Sequence, residues 1–112
     1  MKSPHWDLDR VKELAVLPNG LFVQVGRARA FFRDRKSAIE ACRQAIAVLT
    51  VQDFAETQKL TWDVADVYGV CADDGTGWYL KITIDEAVPE VAVISFHPLE
   101  RPLKTNGGMV RP

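Results

Sequence analysis

No stretch of this sequence approaches the roughly 20 consecutive apolar residues that a membrane-spanning helix needs. The opening residues, Met1-Lys2-Ser3-Pro4-His5, also lack the apolar core of a secretory signal, so a cytoplasmic location is expected. Cysteine is scarce. Cys42 falls in a helical pattern and Cys71 in a strand pattern, with no CxxC spacing and no pair of histidines placed to complete a metal site. These absences exclude a disulfide framework and predict two buried free thiols. The net charge of −1 also rules out the overall basic surface that would by itself point to a nucleic-acid partner.

What is present describes an ordinary globular domain. The 112 residues suit one core and are too few for two. A 47% hydrophobic and 26% charged composition sits near globular averages and argues against disorder or a fibrous repeat. Charge is slightly uneven: residues 1–56 hold nine Lys/Arg against seven Asp/Glu, while residues 57–112 hold five against eight. Arg27, Arg29, Arg33, Arg35 and Lys36 account for much of the basic excess, crowding around the single acid Asp34.

Asp7 can cap a first helix whose apolar face is Leu8, Val11, Leu14, Ala15 and Leu17, ended by Pro18-Asn19-Gly20. Leu21 to Val25 reads as a short strand, and Ala28 to Phe32 as an apolar stretch, interrupted by arginine, of either state. The strongest helix runs from Asp34 to Leu49, with Ala38, Ile39, Cys42, Ala45, Ile46 and Leu49 on one side. Thr50 and Asp53 form a capping signal that predicts a third, short helix to about Gln58. From Thr61 the period changes to two, predicting strands at about Asp66–Ala72, Gly77–Asp85 and Glu90–His97. Asp73-Asp74-Gly75-Thr76-Gly77 supplies the first turn, and Glu86-Ala87-Val88-Pro89 is short enough for a second hairpin. The result is one α+β domain over residues 1–98, an antiparallel twisted sheet with helices on one face. Residues 99–112, polar and rich in Pro and Gly, are expected to be a flexible tail whose Arg101, Lys104 and Arg111 are solvated or touch RNA.

The strand from Gly77 carries the most chemical information. Period two places Trp78, Leu80, Ile82 and Ile84 on a core face and Tyr79, Lys81 and Thr83 on the other. A phenol, an ammonium and a hydroxyl in a row can bind a phosphodiester or stack a base, although solvated sheet faces also carry such residues. Metal-free RNA cleavage needs a base for the 2′-hydroxyl proton, an acid for the departing 5′-oxygen and donors for the charged phosphorane. His97, ending the last strand, and His5, before the first helix, are the candidate acid and base side chains.

Four segments in the same order resemble the MqsR family of bacterial toxin ribonucleases. They are Pro4-His5 leading into Leu8-Asp9-Arg10-Val11-Lys12, Leu49-Thr50-Val51-Gln52-Asp53-Phe54, Asp66-Val67-Tyr68, and Trp78-Tyr79-Leu80-Lys81-Ile82-Thr83 followed by Val91-Ala92-Val93-Ile94-Ser95-Phe96-His97. The resemblance implies a RelE-like fold, ribosome-independent mRNA endonuclease activity without metal or cofactor, and a toxin held inactive by a cognate antitoxin. The family's penultimate-strand tyrosine falls on Tyr79, the neighbouring lysine on Lys81, and the N-terminal histidine on His5. His97 stands where the family has a lysine, Glu56 where it has another lysine, and Ala65 where it has a glutamine.

A lysine replaced by glutamate repels phosphate. If the third helix continues, however, Lys59 shares a face with Glu56 and restores the cation, leaving Glu56 as a base or as half of a surface ion pair. The expected catalytic set is therefore Tyr79, His97, Lys81 and Glu56, with His5, Lys59, Tyr68, Arg33 and Arg35 contacting RNA. A catalytically silent toxin-like module that binds RNA or protein is the alternative, and a divergent enzyme with another target is a third reading. The sequence sets no oligomeric state.

Overall fold

In the computed structural model, which describes residues 1–24 and 26–112, two helices pack on one face of a five-stranded sheet. Helix α1 spans Leu8–Ala15 and buries Val11, Leu14 and Ala15. Asp7 occupies its N-cap position, but its side chain makes no capping bond, contrary to expectation. Helix α2 spans Arg35–Ala47, and here the cap is real: the Asp34 carboxylate accepts the Ser37 N–H at 2.8 Å. That bond holds the Asp34 carboxyl below its ordinary value. Ala38, Cys42 and Ile46 form the buried stripe, at the helical spacing the sequence displays.

The strands are β1 (Leu21–Val23), β2 (Phe54–Lys59), β3 (Val64–Cys71), β4 (Gly77–Asp85), β5 (Glu90–Pro98), β6 (Leu103–Thr105) and β7 (Gly108–Val110). In space the large sheet runs β1-β5-β4-β3-β2. The expected meander β3–β4–β5 is present and antiparallel, but β1 joins β5 in parallel, so the sheet is mixed. Val25, the expected last residue of β1, lies outside the described residues. Leu80, Ile82 and Ile84 are buried in the cluster that holds the helices' apolar residues, and Trp78 packs half-buried against it. Residues 28–32 form turns in which Phe32 stacks on Phe96 at 5.8 Å between ring centroids.

Three further expectations fail. The Thr50–Asp53 capping box forms, yet it starts only a single 3-10 turn, Val51–Asp53, and the chain then enters β2. Phe54 is the reason: it is buried edge-on against Tyr68, and the residues after it gain ladder bonds to β3 that a solvated helix would lack. Cys71 is exposed rather than buried: it ends β3, and alternation puts it on the same face as Val67 and Gly69, away from the helices. Residues 99–112 are not a tail: Leu99 is buried and β6 and β7 pair as a hairpin. Asn106 anchors it, donating its backbone N–H to Phe54 O at 3.0 Å and its side-chain amide to the carbonyls of Lys2 and Val51 at 2.8 Å.

Candidate active site

The sheet face turned away from the helices is built from cross-strand rows. One row joins Gly69, Tyr79 and His97; the next joins Glu56, Val67, Lys81 and Ser95. A bulge between Lys81 and Ile82, with Ile94 as the extra residue on β5, lets the rows keep facing the same way along a twisting strand. Strand β3 contributes small side chains, Val67 and Gly69, so longer ones from β4 and β5 stand over a trough. Gly69 lets the hairpin that walls the trough approach closely: a Cβ would lie 3.1–3.2 Å from side-chain methyls of Thr105, Leu103 and Val110.

The result is a groove of about 440 Å³. Its floor is Tyr79, Lys81, Ser95 and His97, and its rim includes Arg27, Glu100, Arg101 and Leu103. Lys81, Arg27 and Arg101 face one lining carboxylate, Glu100, so the groove is cationic on a chain of net charge −1. The Arg27–Glu100 approach of 3.6 Å joins two largely exposed groups and holds little.

His97 is only 6% exposed and is held at both ring nitrogens. Its ring stacks on Tyr79 at 5.1 Å with 13° between planes. Nδ1 lies 2.8 Å from the Pro98 carbonyl oxygen, which accepts only, and Nε2 lies 2.7 Å from Nη2 of Arg27, which donates only. Those partners assign the proton to Nδ1 and leave the Nε2 lone pair accepting from Arg27.

Gln58, on edge strand β2, ties the other groups together. Its amide nitrogen donates to Glu56 Oε1 at 2.7 Å and to the Tyr79 hydroxyl at 3.4 Å, while its carbonyl accepts from Lys81 Nζ at 3.3 Å. Burial pushes Tyr79 above its ordinary value of 10.0, partly offset by the Gln58 bond, so at neutral pH the phenol is a proton donor.

Tyr79, Lys81 and His97 are therefore brought together, and Glu56 is connected to them through Gln58 without lining the groove. The remaining expected residues are not. Tyr68 is buried on the helical face, paired with Leu80, and its hydroxyl is the one buried side-chain polar atom without a partner among the described residues. Complete burial removes it from any RNA-contacting role and also raises its ionisation above the ordinary 10.0. Lys59 follows Gln58 on a strand rather than sharing a helix face with Glu56, so alternation turns it away from the groove. His5 is exposed, packs edge-on to Trp6 at 4.7 Å, and lines no part of the groove. Arg33 and Arg35 are exposed at the start of α2, on the opposite side of the sheet.

Sequence reasoning named Arg101 only as part of a solvated or RNA-touching tail, and gave Arg27, Gln58 and Ser95 no place in the site. Ser95 alone carried a local signal, two residues before His97 on the same strand face. The chain matches no protein-family model, no curated protein and no solved structure.

Proposed function

We propose that the groove binds single-stranded RNA and cleaves it without a metal ion, as the resemblance to MqsR toxins implies. The observation that supports this reading is the convergence of Lys81, Arg27, Tyr79 and His97 on one cationic groove. Lys81 and Arg27 hold the scissile phosphate and, with the Tyr79 hydroxyl, donate to the phosphorane as its charge grows. When a phosphate takes the Arg27 guanidinium, His97 Nε2 is released to accept the 2′-hydroxyl proton. The 2′-oxygen–phosphorus bond forms, the phosphorus–5′-oxygen bond breaks, and the leaving oxygen takes the Tyr79 proton. The products are a 2′,3′-cyclic phosphate and a 5′-hydroxyl, and His97 then returns the proton to Tyr79 through solvent. The wider reading rests on the same resemblance: a cytoplasmic toxin of a type II pair, silenced by a cognate antitoxin that covers the groove.

One observation favours a second reading, a silent RNA-binding module. Arg27 occupies the Nε2 lone pair, and the Glu56 carboxylate stands outside the groove, so neither base is free as the groove stands. A long unstructured RNA incubated in EDTA with antitoxin-free protein separates the two. Cleavage that falls about 100- to 10,000-fold in His97→Ala and Tyr79→Phe supports the enzyme. Uncut RNA that is still bound supports the module, and equal cutting by all variants refutes the site.

A further inference from the structure

A large aromatic ring stands beside the groove with no role in the chemistry above. Phe31 is 59% exposed, whereas its neighbour Phe32 is packed against Phe96 and Trp78. The turn fixes that choice. Arg29 and Ala30 donate backbone N–H groups to Gly26 O at 3.0 and 2.8 Å, and Phe32 donates to Arg29 O at 3.0 Å. Arg29 Nε reaches back to Val23 O at 3.0 Å, and Phe96 N–H bonds Arg27 O at 3.1 Å. With Phe32 committed inward, the backbone presents Phe31 outward.

Its position relative to the groove is specific. The Phe31 ring centroid lies 6.4 Å from the His97 imidazole and 6.3 Å from Trp78, which meets it edge-on at 75°. The same turn carries Arg27, whose guanidinium touches His97 from the rim. A phosphate-binding cation and a solvent-facing aromatic therefore flank one histidine on one pinned segment. An electrostatic track with a stacking platform beside it is the combination that single-stranded nucleic acids use, since every base offers a π-face.

We propose that Phe31 is a nucleobase subsite: the base next to the nucleotide whose phosphate lies in the groove leaves its stack and lies on the exposed Phe31 ring. This rests on the reading of the groove as an RNA site and adds a requirement to it. The flanking base must be unpaired, so duplex RNA is excluded at that step.

Binding can be measured apart from cleavage with a short 2′-O-methyl oligonucleotide, which lacks the attacking hydroxyl, by fluorescence anisotropy. In wild type, a single abasic position moved along the oligonucleotide should weaken binding about 5- to 100-fold at one place and little elsewhere. Phe31→Ala should bind the intact oligonucleotide more weakly by a similar factor and lose the penalty at that place, while Phe31→Tyr should restore both. Lys81→Ala should keep the abasic penalty and show a shallower salt dependence. If Phe31→Ala binds as wild type does, or keeps the penalty, the ring takes no base and serves another partner. That result overturns the subsite and leaves the groove intact, whereas wild type that binds no oligonucleotide overturns both.

Discussion

Replacing Asp66 by alanine removes a carboxylate that is 0% exposed and sits on the helical face of the sheet, paired across strands with Thr57 and Ile82. Its oxygens accept three bonds: His5 N–H at 3.0 Å, Trp6 N–H at 2.8 Å and the Thr57 hydroxyl at 2.7 Å. Asp66 thus fastens the segment that leads into α1, a role the Asp7 side chain does not fill. Bonds to a charged acceptor contribute roughly 1.5–3 kcal/mol each, but they do not add, and removing the carboxylate also removes the cost of burying it. The residues around His5 are partly exposed and can turn their N–H groups to water. The net loss should therefore be about 3 kcal/mol, a large share of the roughly 5–15 kcal/mol expected for a domain.

At about 4 °C per kcal/mol for a chain of this size, Asp66→Ala should melt some 12 °C lower. Urea unfolding followed by far-UV circular dichroism measures the free energy directly, and Trp6 fluorescence reports the local release. Asp66→Asn keeps the volume and one acceptor but turns an amide N–H₂ toward a backbone donor, so it should fall between wild type and alanine. Groove chemistry, on the other face, should stay within a few-fold of wild type well below the melting point. A loss under about 1 kcal/mol in the alanine variant would refute the idea that Asp66 anchors the N-terminal segment.

The two thiols should separate: a disulfide reagent should label Cys71 quickly and Cys42 only on unfolding, since Cys71 is exposed and burial pushes Cys42 up to about 12. Because the folded value lies above the unfolded 9.0, that contribution to stability is complete below pH 9.0 and should be lost as pH rises toward about 12, less so in Cys42→Ala. At Gly77, an added Cβ would lie 2.2 Å from the Arg111 carbonyl oxygen and 2.8 Å from Leu99 Cδ1. Gly77→Ala should therefore loosen the C-terminal hairpin, seen as faster tryptic cleavage after Lys104; equally fast cleavage of wild type would show that the hairpin is not docked.

The parts legible in the sequence are those whose cause is local. Strands β3, β4 and β5 announce themselves because alternation and turn chemistry lie within each segment, and the α2 stripe with its Asp34 cap does the same. The Thr50 capping box predicts its own bonds but not the element after it, because Phe54 meeting Tyr68 across the sheet turns the chain into a strand. Strand β3 reverses the usual pattern, with Asp66 and Tyr68 toward the helices and Ala65 and Val67 toward the groove, so hydropathy alone could not orient Tyr68. The hairpin β6–β7 did carry a signal, the Asn106-Gly107 turn, but what docks it is distant in sequence: the close approach at Gly69 and bonds from Asn106 and Gly107 to Lys2, Val51, Gln52 and Phe54. Arg27 had none: it meets His97 across 70 residues of chain.

That last contact decides what the groove can do. Tyr79, Lys81 and Ser95 follow from strand alternation, and a row of that kind occurs on many solvated sheet faces. What distinguishes this face is that a loop cation from the turn after β1 lands on the lone pair of the sole nearby imidazole among the described residues. On the proposed reading, Arg27 both supplies charge for a phosphate and occupies Nε2, the imidazole nitrogen whose lone pair would take a proton. On the proposed enzyme reading, a phosphate draws the guanidinium by the same attraction that uncovers Nε2, so binding and base release would be one event. If the two contacts instead coexist with bound RNA, His97 stays blocked and the groove holds RNA without cutting it. The enzyme and the silent module thus differ by the partner that Arg27 keeps.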